Sequence, residues 1–138
     1  LETLSLRMKK HVSNARKIAN WLEQHPKIDK VTYAGLKSSK YYDLAKSVLP
    51  KGAGALFTIS LKEGYEACIK MINKLNLFSH VSNLGDTRSL IIHPASTVHR
   101  QLTEQQQINA GLAPNVIRLS IGIEDPKDLI DDLKQALE

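Results

Sequence analysis

Leu90, Ile91 and Ile92 stand in a row between a glycine, Gly85, and a His-Pro pair, His93-Pro94. Three consecutive branched aliphatic residues are long enough for a buried strand and too short for a helix. Gly85 permits a backbone that a residue with a Cβ would resist. Pro94 removes a backbone donor and pushes His93 into an extended conformation. The polar residues of the Asn83–His99 stretch therefore fall at the two ends of one rigid element, where loop residues often form sites.

The rest of the chain supplies the elements around that strand. Leu4, Met8, Val12, Ala15, Ile18, Ala19 and Leu22 recur at helical spacing, with Trp21 beside them, and Pro26 ends that helix near His25. His11 reads as a histidine on the helix surface. Val31-Thr32-Tyr33 reads as a short strand closed by Gly35, and Ser39 as the cap of a helix through about Val48, stopped by Leu49-Pro50. Between Ala55 and Leu61, Phe57, Ile59 and Leu61 alternate with Leu56, Thr58 and Ser60, the period of a half-buried strand. Gly64 breaks it, and Tyr65, Cys68, Met71, Ile72 and Leu75 make the stripe of a second long helix. Leu77-Phe78 lead into a further strand. Thr103-Glu104-Gln105-Gln106 fits a capping box, with Gly111 just past the short helix that follows. Val116 to Ile121 is a strand. Asp125-Pro126 opens the last helix with a cap and an N1 proline, and Leu129, Ile130, Leu133 and Leu137 are its apolar face. One apolar stripe per helix, with half-polar strands between, predicts an α+β fold: a mostly antiparallel sheet with helices packed on one face.

A chain of 138 residues with 42% hydrophobic content reads as a single domain. No apolar run reaches the length of a membrane span, and no basic stretch followed by an apolar one marks a secretory signal. The single Cys68 suits a reducing cytoplasm. The net charge of +5 does not point to nucleic acid: the 19 lysines and arginines are scattered, and aromatic content of 5% offers no stacking platform. A long amphipathic helix beginning at Leu1 with little room for a cap gives the start of the chain the look of a cut.

Arg118 is the most informative single residue. Ile117, Leu119 and Ile121 share one strand face, and Arg118 and Ser120 share the other. Spacing alone leaves two readings open, an arginine on a solvated face or a fixed fork for a ligand carboxylate. Asn83 reads as a turn residue. His93 and His99 lack a Cys or carboxylate at ligand spacing, so no metal is expected, and together with Ser96 and Thr97 they line the substrate side or stabilise the turn. Asp86 and Arg88 pair across the turn or face solvent. Cys68 reads as packing rather than nucleophile. Ser38-Ser39-Lys40-Tyr41 imitates the setting of a Schiff-base lysine, but no glycine-rich phosphate cradle precedes it.

Three motifs carry a family resemblance. Leu84-Gly85 through Ser89-Leu90 follows a Leu-Gly-x-x-x-[Ser/Thr]-Leu turn, His93-Pro94-Ala95-Ser96 is followed by His99, and Ile117 to Glu124 reads Ile-Arg-Leu-Ser-Ile-Gly-Ile-Glu. In this the chain resembles the C-terminal domain of the fold type I pyridoxal-phosphate enzymes of cysteine and methionine metabolism. The pattern Gly35-Leu36, Ser38-Ser39 and Tyr41-Tyr42 is similar to that of the O-acetylhomoserine sulfhydrylases. The resemblance covers essentially all 138 residues. It implies a small substrate-side domain, residues 1–138, of a longer and homo-oligomeric cytoplasmic enzyme whose large cofactor-binding domain is absent here. It further implies pyridoxal phosphate in that parent and none bound to this fragment, with no catalytic residue in it. Arg118 would bind the substrate α-carboxylate, helped by Asn83 and the backbone N–H of Leu84. The activity implied is homocysteine formation from O-acetylhomoserine and sulfide. The alternatives are a cystathionine gamma-synthase or gamma-lyase or a methionine gamma-lyase, and, in another class, a non-catalytic ligand-binding module. Cystathionine enzymes usually read Gly-Gly and Met-Thr-His where this chain has Gly85-Asp86 and Thr97-Val98-His99.

Overall fold

A computed structural model describes residues 1–98 and 100–138, with Glu104 described by its backbone alone. The elements in chain order are α1 (Leu4–Glu23), β1 (Ile28–Thr32), α2 (Tyr42–Val48), β2 (Leu56–Leu61), α3 (Tyr65–Lys74), β3 (Ser79–His80), β4 (Leu90–Ile92), a single 3-10 turn (Pro94–Ser96), α4 (Glu104–Asn109), β5 (Val116–Ser120) and α5 (Pro126–Leu137). The five strands form one sheet in the order β1-β2-β5-β4-β3. All neighbours are antiparallel except β3 and β4, which run parallel. The expected α+β class with a mostly antiparallel sheet is therefore what the chain adopts.

The core lies between one sheet face and three helices. Phe57, Ile59 and Leu61 of β2 and Ile117 and Leu119 of β5 point into it, with Ile91 from β4. Ala15, Ile18, Ala19 and Leu22 of α1 meet them, as do Cys68, Met71 and Ile72 of α3 and Leu129, Leu133, Ala136 and Leu137 of α5. Burying a large aliphatic side chain is worth roughly 1.5–3 kcal/mol, so this cluster dominates the favourable side of folding. Asp132, also buried, accepts from the backbone N–H groups of Asn76 (2.9 Å) and Leu77 (2.8 Å), which fastens α5 to the turn after α3.

Several expectations are corrected. His11 is not on the surface of its helix: it is only 2% exposed, and its Nδ1 bonds to the carbonyl of Ile121 at 2.6 Å. One turn later, the amide Nδ2 of Asn14 donates to the carbonyls of Gly122 (3.1 Å) and Glu124 (2.8 Å). These two polar residues lie on the apolar side of α1 because the chain just beyond β5 presents carbonyls there that have no strand partner. Leu4 and Met8, counted with the apolar stripe, are exposed at 41% and 38%. Ser39 does not cap α2. Its Oγ accepts from Tyr41 N–H at 3.3 Å within a turn, and the helix begins three residues later, with Asp43 in its first turn. The local side-chain-to-backbone bond competes with helix initiation. The remaining caps are as expected: Thr103 and Gln106 form a reciprocal capping box, and Asp125 accepts from Lys127 N–H at 2.7 Å.

Candidate functional site

The parallel pairing of β3 with β4 determines what covers the sheet's polar face. After His80 the chain must travel back before it can enter β4 at Leu90 in the same direction. The nine residues of that return, 81–89, run along β5 on the face away from the three core helices. Arg118 and Ser120 sit on that face, paired across the ladders with Ile92 and Leu90 and with Thr58 and Leu56.

The contacts are regular. Arg118 is half-buried, and its Nη2 donates to the carbonyl of Asn83 at 3.3 Å. The Oγ of Ser120 accepts from Gly85 N–H at 3.3 Å. Ile123 N–H donates to Thr87 O at 2.9 Å. Glu124 then closes the run: Oε1 accepts from Ser89 N–H at 2.6 Å, and Oε2 accepts from the Ser89 hydroxyl at 3.0 Å. Ser89 is fully buried, and its Oγ also accepts from Gly122 N–H at 2.9 Å. Gly122 must be a glycine, because a Cβ there would collide with the carbonyl oxygen of Thr87 and the carboxylate of Glu124. Gly85 turns with φ 75°, a region that side-chain-bearing residues avoid.

Arg118 and Asn83 are thus brought together through the backbone carbonyl of Asn83. Asn83 is exposed, and its Oδ1 accepts from the N–H of Leu84 at 2.9 Å, so that N–H is engaged locally. Asp86 and Arg88 pair at 3.1 Å at the surface of the loop. The Arg88 guanidinium, with the Arg88 backbone N–H, holds the Asp86 carboxyl down at about 2.

The residues after β4 have a different character. His93 is fully buried, with Nδ1 bonded to Ser96 Oγ at 2.9 Å and Nε2 to the carbonyl of Pro114 at 2.6 Å, while the Tyr65 ring stands edge-on at 4.9 Å. The hydroxyls of Thr97 (2.7 Å) and Ser96 (3.3 Å) both donate to His93 O. Of the two roles open to His93, Ser96 and Thr97, the structure supports stabilising the turn. His99 lies outside the described residues. The parts of the site that sequence reasoning missed are Ser89, Gly122 and Glu124. For Gly122 and Glu124 the available signal was the two-residue period, since with Arg118 and Ser120 they continue one face past the end of the strand; Ser89 carried no such signal.

Comparison with known proteins gives the family of the chain. Residues 1–138 match the family described as Cys/Met metabolism PLP-dependent enzyme. The chain is 48% identical over its whole length to an O-acetyl-L-homoserine sulfhydrylase of Leptospira meyeri, covering 31% of that protein. It is 43% identical to an L-methionine gamma-lyase of Fusobacterium nucleatum subsp. nucleatum, covering 35% of it. A crystal structure described as an O-acetylhomoserine (thiol)-lyase from Campylobacter jejuni subsp. jejuni, carrying N'-pyridoxyl-lysine-5'-monophosphate, superposes with a TM-score of 0.92 at 47% identity. That match covers 99% of this chain and 32% of the other. The chain thus spans about a third of the length of the relatives it matches. With all of its residues matched and its fold shared at this identity, the chain belongs to the pyridoxal-phosphate-dependent enzymes of cysteine and methionine metabolism.

Proposed function

We propose that this chain is the C-terminal, substrate-side domain of a longer O-acetylhomoserine sulfhydrylase, in which Arg118 clamps the α-carboxylate of the amino-acid substrate. The observation that carries the proposal is the placement of Arg118. It stands on the polar sheet face, and its hydrogen bonding within the described residues is limited to one long contact with Asn83 O. A guanidinium offers several donors in a planar fork, so most of its capacity remains for a bidentate partner. Asn83 keeps both Nδ2 hydrogens for the same carboxylate. Leu84 contributes its N–H, which here donates to Asn83 Oδ1 and is handed over when substrate binds.

The cofactor is held elsewhere in the longer protein, in the large domain that partners this one. A Schiff-base lysine needs a desolvated pocket, and no lysine of this chain is buried. Lys40, the one in a suggestive setting, is exposed, with its Nζ 4.9 Å from the Tyr41 ring centre. That exposure supports placing the cofactor, and the carbanion chemistry it supplies, in the rest of the longer protein. The similarity to a methionine gamma-lyase favours a second reading, a γ-elimination enzyme of the same family. Sulfide-dependent homocysteine formation from O-acetylhomoserine separates it from keto-acid release from methionine.

The test is Arg118→Lys in the full-length enzyme. Lysine keeps the charge but offers a point donor instead of a fork. Disrupting a desolvated, hydrogen-bonded charge pair costs about 2–5 kcal/mol, so kcat/KM for O-acetylhomoserine should fall by tens to thousands of fold. Visible absorbance of the cofactor and the thermal midpoint should stay put. Near-wild-type kcat/KM with cofactor bound would remove the carboxylate clamp.

A further inference from the structure

Four residues two apart, Arg118, Ser120, Gly122 and Glu124, each hydrogen-bond to the returning segment. Arg118 reaches residue 83, Ser120 reaches residue 85, and Gly122 and Glu124 reach residue 89. The first two contacts are long, each at 3.3 Å, and each is a single bond. The last is different in kind. A carboxylate takes both polar hydrogens of a fully buried serine, at 2.6 and 3.0 Å, and that serine's oxygen is filled by Gly122 N–H. Hydrogen bonds to a carboxylate are shorter and roughly twice as strong as neutral ones. The segment is therefore anchored at Ser89, close to where it enters β4, and only lightly held where it passes over Arg118.

The far side of the anchor is fixed as well. Asn14 of α1 donates to the carbonyls of Gly122 and Glu124, and His11 bonds to that of Ile121. Residues 121–124 are thus held by the core helix on one side and hold the loop on the other.

We infer that Glu124 is a positioning residue: by fastening Ser89 it sets the spacing of Asn83 and Leu84 over Arg118, and with it the preference for substrates that carry an α-carboxylate. The inference rests on the carboxylate-clamp reading above. Without Glu124, Ser89 N–H and its hydroxyl lose their acceptor, the segment lifts, and the amide of Asn83 moves out of reach of the oxygen that Arg118 holds. Binding through the substrate's other groups is untouched, so the loss appears in one chemical feature of the ligand.

The experiment uses the full-length enzyme with its cofactor and two unreactive probes that differ only in that feature, norleucine and pentylamine. Dissociation constants for both are read from visible absorbance in the wild type and in Arg118→Ala, Glu124→Ala, Glu124→Gln and Ser89→Ala. The selectivity is the ratio of the two constants. Glu124→Ala should lower that ratio between about ten- and a hundredfold, the scale of losing one hydrogen bond to a charged group, with pentylamine affinity unchanged. Glu124→Gln keeps an acceptor for Ser89 N–H and should retain most of the ratio, and Ser89→Ala should fall between. A wild-type ratio in Glu124→Ala while Arg118→Ala has lost it overturns the positioning role and leaves the clamp standing. An unchanged ratio in Arg118→Ala sinks the clamp itself. Equal loss of both ligands in Glu124→Ala shows a merely structural residue and also overturns the inference. If Glu124→Ala does not fold, Ser89→Ala and Glu124→Gln decide by the same criteria.

Discussion

Cys68 shows how far burial alone decides chemistry. The thiol is enclosed in the core beside Met71 and Ile72, and burial pushes it up to about 12. The thiolate is the reactive form, so the folded protein should resist iodoacetamide at pH 8 and label within minutes once unfolded in urea. Rapid labelling of the native protein would mean that α3 opens readily. The native thiol stays neutral while the unfolded chain ionises near the ordinary thiol value, so stability is unaffected at neutral pH and declines as pH rises from that thiol value towards about 12. Asp86 is the contrasting case: its carboxyl is also strongly shifted, but it stands with Arg88 at the surface, where a pair contributes little to stability. His11 was illegible at this scale. Nothing about a histidine in a helix announces that a carbonyl 110 residues away will need a donor.

At the scale of elements, caps are the best place to test what the sequence says locally. Asp125→Ala removes the acceptor for Lys127 N–H and should cost about 0.5–2 kcal/mol, read as a lowered midpoint in chemical denaturation. An unchanged midpoint would mean that α5 does not depend on that cap. The strands at residues 56–61 and 116–120 were legible because alternation over five or six residues specifies both a strand and its buried face. The start of α2 was not, because Ser39 can serve a cap or a turn, and only its surroundings choose the turn. The two-residue β3 carries too little pattern to reveal that it pairs in parallel. That pairing sends residues 81–89 across the polar face, so Arg118 was readable as a candidate while the hydrogen bonds that join Ser89 to Glu124 were not.

For the molecule as a whole, the lysines suggest a simple outcome. With none of them buried, mixing this chain with pyridoxal phosphate should give no saturable visible imine band that survives dialysis. A stoichiometric band lost in Lys40→Ala would place a cofactor amine here after all. The topology has a consequence for biosynthesis. β5 lies at the centre of the sheet, hydrogen-bonded to β2 on one edge and β4 on the other, yet it is made after all four of the other strands. Until residues 116–120 emerge, the nascent chain carries two half-sheets, β1–β2 and β3–β4, each with an open edge where β5 will pair. A ribosome that stalls before Val116 thus displays two unpaired strands from one chain, surfaces that a neighbouring nascent chain could pair with.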